Sequence, residues 1–206
     1  MWKRTTLIGA CALVTLAIST GCSSSNEAEH PAGHSPASSA TAAPSTTAAA
    51  EAHNDADVMF VQHMIPHHTQ AIEMSDTLLA KQGVDPKVTE LANQIKAAQG
   101  PEIQQMQGWL TQWGTPSMPP MSGHGDMPAM SGMMSEQDVT ALKDAQGVDA
   151  TKLFLTQMIA HHEGAITMAQ SEITDGQYPP AVEMAHAIVT SQQQEIDTMR
   201  GMLASL

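Results

Sequence analysis

An all-α fold, a four-helix bundle made of two duplicated helical hairpins, is what this sequence predicts, and three observations predict it. The first is an internal repeat. Met64-Ile65-Pro66-His67-His68-Thr69-Gln70-Ala71-Ile72-Glu73-Met74 returns ninety-four residues on as Met158-Ile159-Ala160-His161-His162-Glu163-Gly164-Ala165-Ile166-Thr167-Met168. Each copy is trailed by Glu-Ile-x-x-Met-x-Gly-x-Leu, once from Glu102 and once from Glu195. Self-similarity on this scale marks a duplicated supersecondary unit. The second observation is composition: aromatic residues are only 3% of the chain while Met numbers 16, and Ala, Gln and Met favour helix over sheet. The third is periodicity. Apolar residues recur three and four apart within each repeat, and the Gly, Pro and Asp clusters fall between these segments.

The elements follow in order. Residues 1–21 carry Lys3 and Arg4, an apolar run from Leu7 to Ile18 and then Ser19-Thr20-Gly21 before Cys22, the layout of a signal peptide and too short a run to span a bilayer. The small-Gly-Cys ending resembles the lipobox of bacterial lipoproteins, which makes Cys22 the lipidation site; Ser19 stands where that pattern has Leu. Residues 22–52, rich in Ser, Ala, Thr and Pro, lack apolar periodicity and read as a disordered tether. The bundle is expected over 53–206, with repeat one at 53–113 and repeat two at 150–206. Its first helix should start at Asn54 or Asp55 and run to about Lys81, kinked at Pro66. A second runs from Pro86 to about Trp113, irregular at Gly100-Pro101. Residues 114–135 form a Met- and His-rich loop. Ser135-Glu136-Gln137-Asp138 has the look of a capping box and opens a short helix to about Gln146. Ala150 to Ile173 and Ala181 to Leu203 complete the second hairpin, with Pro179-Pro180 in the turn between them.

Charge and cysteine content exclude several functions. Eight Lys+Arg against 21 Asp+Glu give a net charge of −13, which argues against nucleic acid and anionic lipid headgroups and is compatible with cations. Cys11 and Cys22 both lie outside the repeats, so no disulfide framework exists. Ten His and sixteen Met in 206 residues are the anomaly. On a helix, Met64, His67, Ala71 and Met74 share one stripe, and Met158, His161, Ala165 and Met168 repeat it. The neighbouring stripe, Ile65-His68-Ile72 and Ile159-His162-Ile166, reads more like core. A site inside each hairpin could add Met106 and Glu102, or Met199 and Glu195, from the partner helix. Thioethers select Cu(I), and imidazole suits both copper oxidation states. Met at helical spacing also serves as adaptable core filler, so a metal-free structural bundle is the alternative. The loop has no core to fill, yet Met118, Met121, Met127, Met130, Met133 and Met134 crowd there with His124. Recurrent Met-x-x-Met spacing offers two sulfurs to one ion.

The doubled Met-Ile-x-His-His-x-x-Ala-Ile-x-Met with its trailing Glu-Ile-x-x-Met resembles the DUF305 family of secreted or lipoprotein bacterial proteins. The resemblance covers about residues 53–113 and 150–206. It implies a ferritin-like bundle and, since some members are implicated in copper binding and resistance, copper as the cofactor. It points to Met64, His67, His68, Met74, Met158, His161, His162 and Met168. His63 becomes Gln157 in the second copy, so a site needing His63 is not duplicated.

The leading expectation is an extracytoplasmic protein, lipid-anchored at Cys22, that binds, buffers or transfers copper without turnover and without a nucleic-acid partner. A di-iron oxidoreductase would need two Glu-x-x-His pairs; Glu183-x-x-His186 fits, but its counterpart positions are Thr89 and Ala92. His162-Glu163 is not the zinc-protease motif, because Ala165-Ile166 follows. Acylation of Cys22 is directly checkable: Cys22→Ala should move the protein from the membrane fraction to the soluble one. Unchanged membrane retention of a correctly cleaved mutant would contradict it.

Overall fold

A computed structural model describes residues 52–117 and 131–206. These form five α-helices: α1 (Asp55–Leu79), α2 (Pro86–Trp113), α3 (Glu136–Asp144), α4 (Gly147–Asp175) and α5 (Pro179–Leu203). The fold is all-helical, and the described residues contain no strand. No helix among them is long and apolar enough to cross a membrane. The signal peptide, the tether and Cys22, and the loop residues Met118, Met121, His124, Met127 and Met130, lie outside the described residues.

Local chemistry sets the helix ends. Asn54 caps α1 through a capping box with Asp57, and Ser135 caps α3 through one with Asp138. Asp85 caps α2, Pro86 takes the first turn where a missing N–H costs nothing, and Gly114 closes the helix at φ 68°. Two boundaries differ from expectation. Pro179-Pro180 are the first residues of α5 rather than its preceding turn, because proline's fixed φ suits the first helical turn. Helix α4 starts at Gly147 rather than Ala150, so the Gly147-Val148-Asp149 connector is helix, with Asp149 placed favourably in the first turn. Helices α1 and α2 run through Pro66 and Pro101 without interruption.

Helices α1 and α2 pack as one hairpin, α4 and α5 as the other, and the hairpins join chiefly through α1 against α4. Helices α2 and α5 barely meet. Partners along α1 and α4 run in opposite directions: Asn54 Nδ2 donates to the Asp175 carbonyl at 2.8 Å, while the Lys81 ammonium reaches back to the Lys143 and Ala145 carbonyls just before α4. Asp57 ties the two repeats at one end, accepting from the backbone amides of Gln177 and Tyr178 at 3.0 and 2.9 Å. Fully buried Ala71, Ala165 and Ala169 leave room for the central helices to approach.

The chain leaving the Met-rich loop lies on this central pair. The side chain of Gln70 clamps the backbone of Met134, donating to its carbonyl at 2.9 Å and accepting from its amide at 2.7 Å. Gly132, at φ 79°, presses backbone to backbone on Gly164, where an added Cβ would stand 2.0 Å from the Ser131 carbonyl oxygen. The loop therefore ends in a docked strap, Ser131–Met134, not in free linker. Gly164→Ala should displace the strap and cost about 1–3 kcal/mol of stability, as overpacking does. Gly108→Ala and Gly201→Ala, where nothing lies within 4 Å of the new Cβ, should stabilise by up to about 1 kcal/mol. Thermal unfolding of the three variants checks the contrast.

Candidate metal centre

His67 and His161, one from each repeat, meet at the centre of the α1/α4 contact with ring centroids 3.7 Å apart and planes tilted by 38°. Both are buried, as are His68 and His162. The adjacent histidines are held from outside: His68 Nε2 donates to Glu102 at 2.7 Å and His162 Nε2 to Glu195 at 2.6 Å. The duplication thus repeats a contact as well as a motif. It also corrects the sequence expectation for the carboxylates, since Glu102 and Glu195 bond to His68 and His162 and not to the Met-His stripe. Helix periodicity identifies a shared face but not which residue a neighbouring helix brings opposite it.

Hydrogen bonding fixes the presentation of the rings. A carbonyl or carboxylate only accepts, so Nε2 carries the proton in His67, which donates to the Ser131 carbonyl at 3.1 Å, and likewise in His68 and His162. Nδ1 of all three is buried and without a hydrogen-bond partner. In His161 neither ring nitrogen has a hydrogen bond of ordinary length. Such orphaned groups cost about 1–3 kcal/mol each when nothing meets them. Burial, reinforced by the neighbouring His68 and His162, pushes His67 down to about 3, with the Ser131 bond acting weakly the other way. Burial and the other three histidines likewise hold His161 well below the usual imidazole range. The central pair is therefore neutral at neutral pH, the state a metal ligand requires.

The methionines gather both within each hairpin and across the two. Buried Met64 and Met106 share a cluster against which Met168 packs. Their repeat counterparts Met158 and Met199 share the other cluster with Met74, and Met134 of the strap packs against it. Met184 of α5 also belongs to the first cluster and Met202 packs against the second, so each cluster mixes methionines of both repeats. Met133 is half-buried. Among the described residues no three His, Cys, Asp or Glu side chains converge as a metal cage. The helix stripes that carry His67 and His161 also carry Met64, Met74, Met158 and Met168, and thioethers suit soft or borderline ions. Glu183 and His186 are exposed and form no di-iron constellation with these histidines.

These features agree with comparisons to known proteins. The family described as a domain of unknown function, DUF305, matches residues 57–203. The chain belongs to the DUF305 family. A DUF305 fragment from Deinococcus radiodurans is 35% identical, with a TM-score of 0.67, over 74% of this chain and 98% of that one. A DUF305 protein from Streptomyces coelicolor is 30% identical, with a TM-score of 0.66, over 73% and 91%. CopM in its Cu(II)-bound form is 32% identical, with a TM-score of 0.63, over 72% and 96%. CopM has also been solved with Cu(I) and with silver, at TM-scores of 0.60 and 0.59. Comparison with curated proteins finds no match.

Sequence reasoning missed five residues of this DUF305 bundle. Ser131 supplies a backbone carbonyl, which no side-chain motif announces. Gln70 and Gly164 dock the strap, although their difference between the copies was visible. Gln99 and Gln192 are buried at matching positions one turn before Glu102 and Glu195, each with its side-chain oxygen unpaired. Their common offset of ninety-three was the available signal.

One further acid marks the end of α4. Glu172 is buried where the first repeat has the core residue Leu78. Burial first, then the side chain and charge of Asp57 and the charge of Asp175, push its carboxyl up to about 8. Burial alone would raise Asp57 too, but the amides of Asn54, Tyr178 and Gln177 and the Glu172 side chain outweigh it and lower that group. A raised folded-state pKa means stability that is complete below the ordinary value of 4.5 and lost as pH rises through about 8. The wild-type protein should therefore lose metal-free stability relative to Glu172→Gln as pH climbs across this window. Denaturant unfolding of both proteins from about pH 5 to about pH 9 checks it; parallel curves would contradict it.

Proposed function

We propose that this protein is an extracytoplasmic copper-binding protein, anchored through acylated Cys22, that buffers or hands over copper without catalysing a reaction. One observation carries the reading: buried neutral imidazoles present unpartnered nitrogens where the two repeats meet, on helix stripes that also carry Met64, Met74, Met158 and Met168. The ligand set is His67 and His161 with Met64, Met106 and Met168 on one side and Met74, Met158 and Met199 on the other. His68 and His162 extend it, with Glu102 and Glu195 orienting their rings as carboxylates orient metal-bound histidines elsewhere. The Cu(II), Cu(I) and silver forms of CopM support this choice of ion. The candidate secreted status of the Streptomyces relative supports the location. Met118 to Met134, with His124, serve as a weaker reservoir whose end is tied to the centre by the strap.

A second reading has its own support. The His68–Glu102 and His162–Glu195 bonds are complete without metal, as expected of a bundle whose histidines are structural ties. Replacing His67 and His161 together by Ala separates the two readings. Ligand histidines, whose removal relieves orphaned polar atoms, predict loss of the tightest copper sites with metal-free melting little changed. Structural histidines predict a much lower melting temperature with copper affinity retained. Copper titration against a competing chelator, paired with calorimetry of the metal-free variant, reads both.

A further inference from the structure

The histidine pair is buried at its contact, so an ion has to pass the bundle surface to reach it. The two repeats differ in what they offer there. At the α1 start and α4 end, an open cleft of about 340 Å³ is lined by Met59, Phe60, His63, Met168 and Glu172, with Asp55 and Asp175 at its rim. Met59 and His63 lie one helical turn apart and so share a face of α1. Met59 is 57% exposed, unusual among the large apolar side chains of the described residues. Met168 enters the same cleft from α4 and also packs against the cluster of Met64 and Met106. Thioether sulfur therefore recurs from solvent at Met59, through half-buried Met168, to buried Met64, one turn from His67 on α1.

The second copy is stopped at the equivalent place. Met59 and His63 correspond to Leu153 and Gln157, and Glu172 to Leu78. The Gln157 side-chain amide donates to the Asp138 carbonyl of α3 at 2.8 Å. Leu142 of α3, fully buried, joins the cluster of Phe154, Leu155 and Leu78. Helix α3 seals one end of the duplicated core and leaves the other open. The substitutions that open it replace Leu, Gln and Leu with Met, His and Glu.

We propose that Met59, His63 and Met168 form a solvent-facing loading site for a soft monovalent cation, Cu(I) or Ag(I), through which the ion reaches the buried centre. Two thioethers and an imidazole make a soft donor set that discriminates against Mg²⁺ and Ca²⁺. The carboxylates at the rim and the net charge of −13 attract cations to it. Only the second step, passage inward, rests on the copper-binding function proposed above.

The test uses silver nitrate as the probe and the full chain labelled with ¹³C at its methionine methyls. The Met59 and Met168 resonances, assigned with single Leu variants, should move at the first substoichiometric additions. Installing the second copy's residues, Met59→Leu with His63→Gln, should abolish the Met168 shift at the first substoichiometric additions and leave only the later one that accompanies filling of the centre, to which Met168 also belongs. It should also slow filling of the His67/His161 centre about tenfold, a modest change in barrier, without altering final occupancy. Met59 and Met168 signals that stay still while silver fills the centre would overturn the proposal, as would wild-type filling rates in the variant. In the His67→Ala/His161→Ala protein both methyls should still respond. If they do so while no centre fills, the loading site stands and the reading of the buried pair falls. If they respond only with the pair intact, the site has no existence of its own and the proposal is overturned.

Discussion

Two imidazole rings 3.7 Å apart in a dry helix interface are the constraint around which this bundle is arranged. They can meet only if α1 and α4 come close, and Ala71, Ala165 and Ala169 provide that closeness. Burial, with the neighbouring histidines, keeps both rings neutral by holding them well below the usual imidazole range. Each orphaned nitrogen weakens the metal-free fold by an amount comparable to a lost hydrogen bond. A structure that repeats such groups in both copies carries a cost that apolar packing at the same positions would avoid. Metal binding, as proposed above, would offset that cost.

The duplication explains the symmetry of this centre, and its departures explain the rest. Where the copies agree, they supply His-His, the orienting Glu, the buried Gln and the methionines. Where they differ, the molecule becomes one-sided. Gln70 and Gly164 occupy equivalent positions and act together on the strap. Gln70 grips it by its backbone, and Gly164 makes room for it. Through the strap, the loop's end reaches the His67 ring, because the Ser131 carbonyl fixes which nitrogen holds the proton. The other difference, Met59 and His63 against Leu153 and Gln157, leaves one end of the core open and the other covered by α3.

Much of this was legible in the sequence. The all-α fold, the hairpins and the capping boxes at Asn54 and Ser135 follow from local rules that act within a few residues. The importance of His67 and His161 follows from their stripe. What was not legible is the partner of each stripe. Reading the site inside each hairpin placed Glu102 with His67, whereas the hairpins exchange methionines and Glu102 bonds to His68. Period 3.6 determines which residues point the same way; only the packing of α1 on α4 determines what they point at. Where the copies differ, Gln70, Gly164 and Gln157 all hold specific contacts. In a duplicated chain the differences report the asymmetric environment, and the environment here is the strap and α3.

Glu172 shows the same logic at a single position. Its counterpart Leu78 is fully buried core, so the fold tolerates an apolar residue there and gains from it. A carboxyl in that place has to be kept protonated or be stabilised by something outside the hydrophobic contact. Its neighbour Asp57 is already committed to the amides of Gln177 and Tyr178, so Asp57 remains ionised and Glu172 bears the proton. The acid thus weakens the fold most at higher pH, where its proton leaves. It lies on the wall of the cleft that opens toward the methionine–histidine centre, and its tie across the contact of α1 with α4 is the hydrogen bond to Asp57. A carboxyl set beside the open end of the duplicated core and absent from the sealed end is, on the loading route proposed above, placed to attract cations.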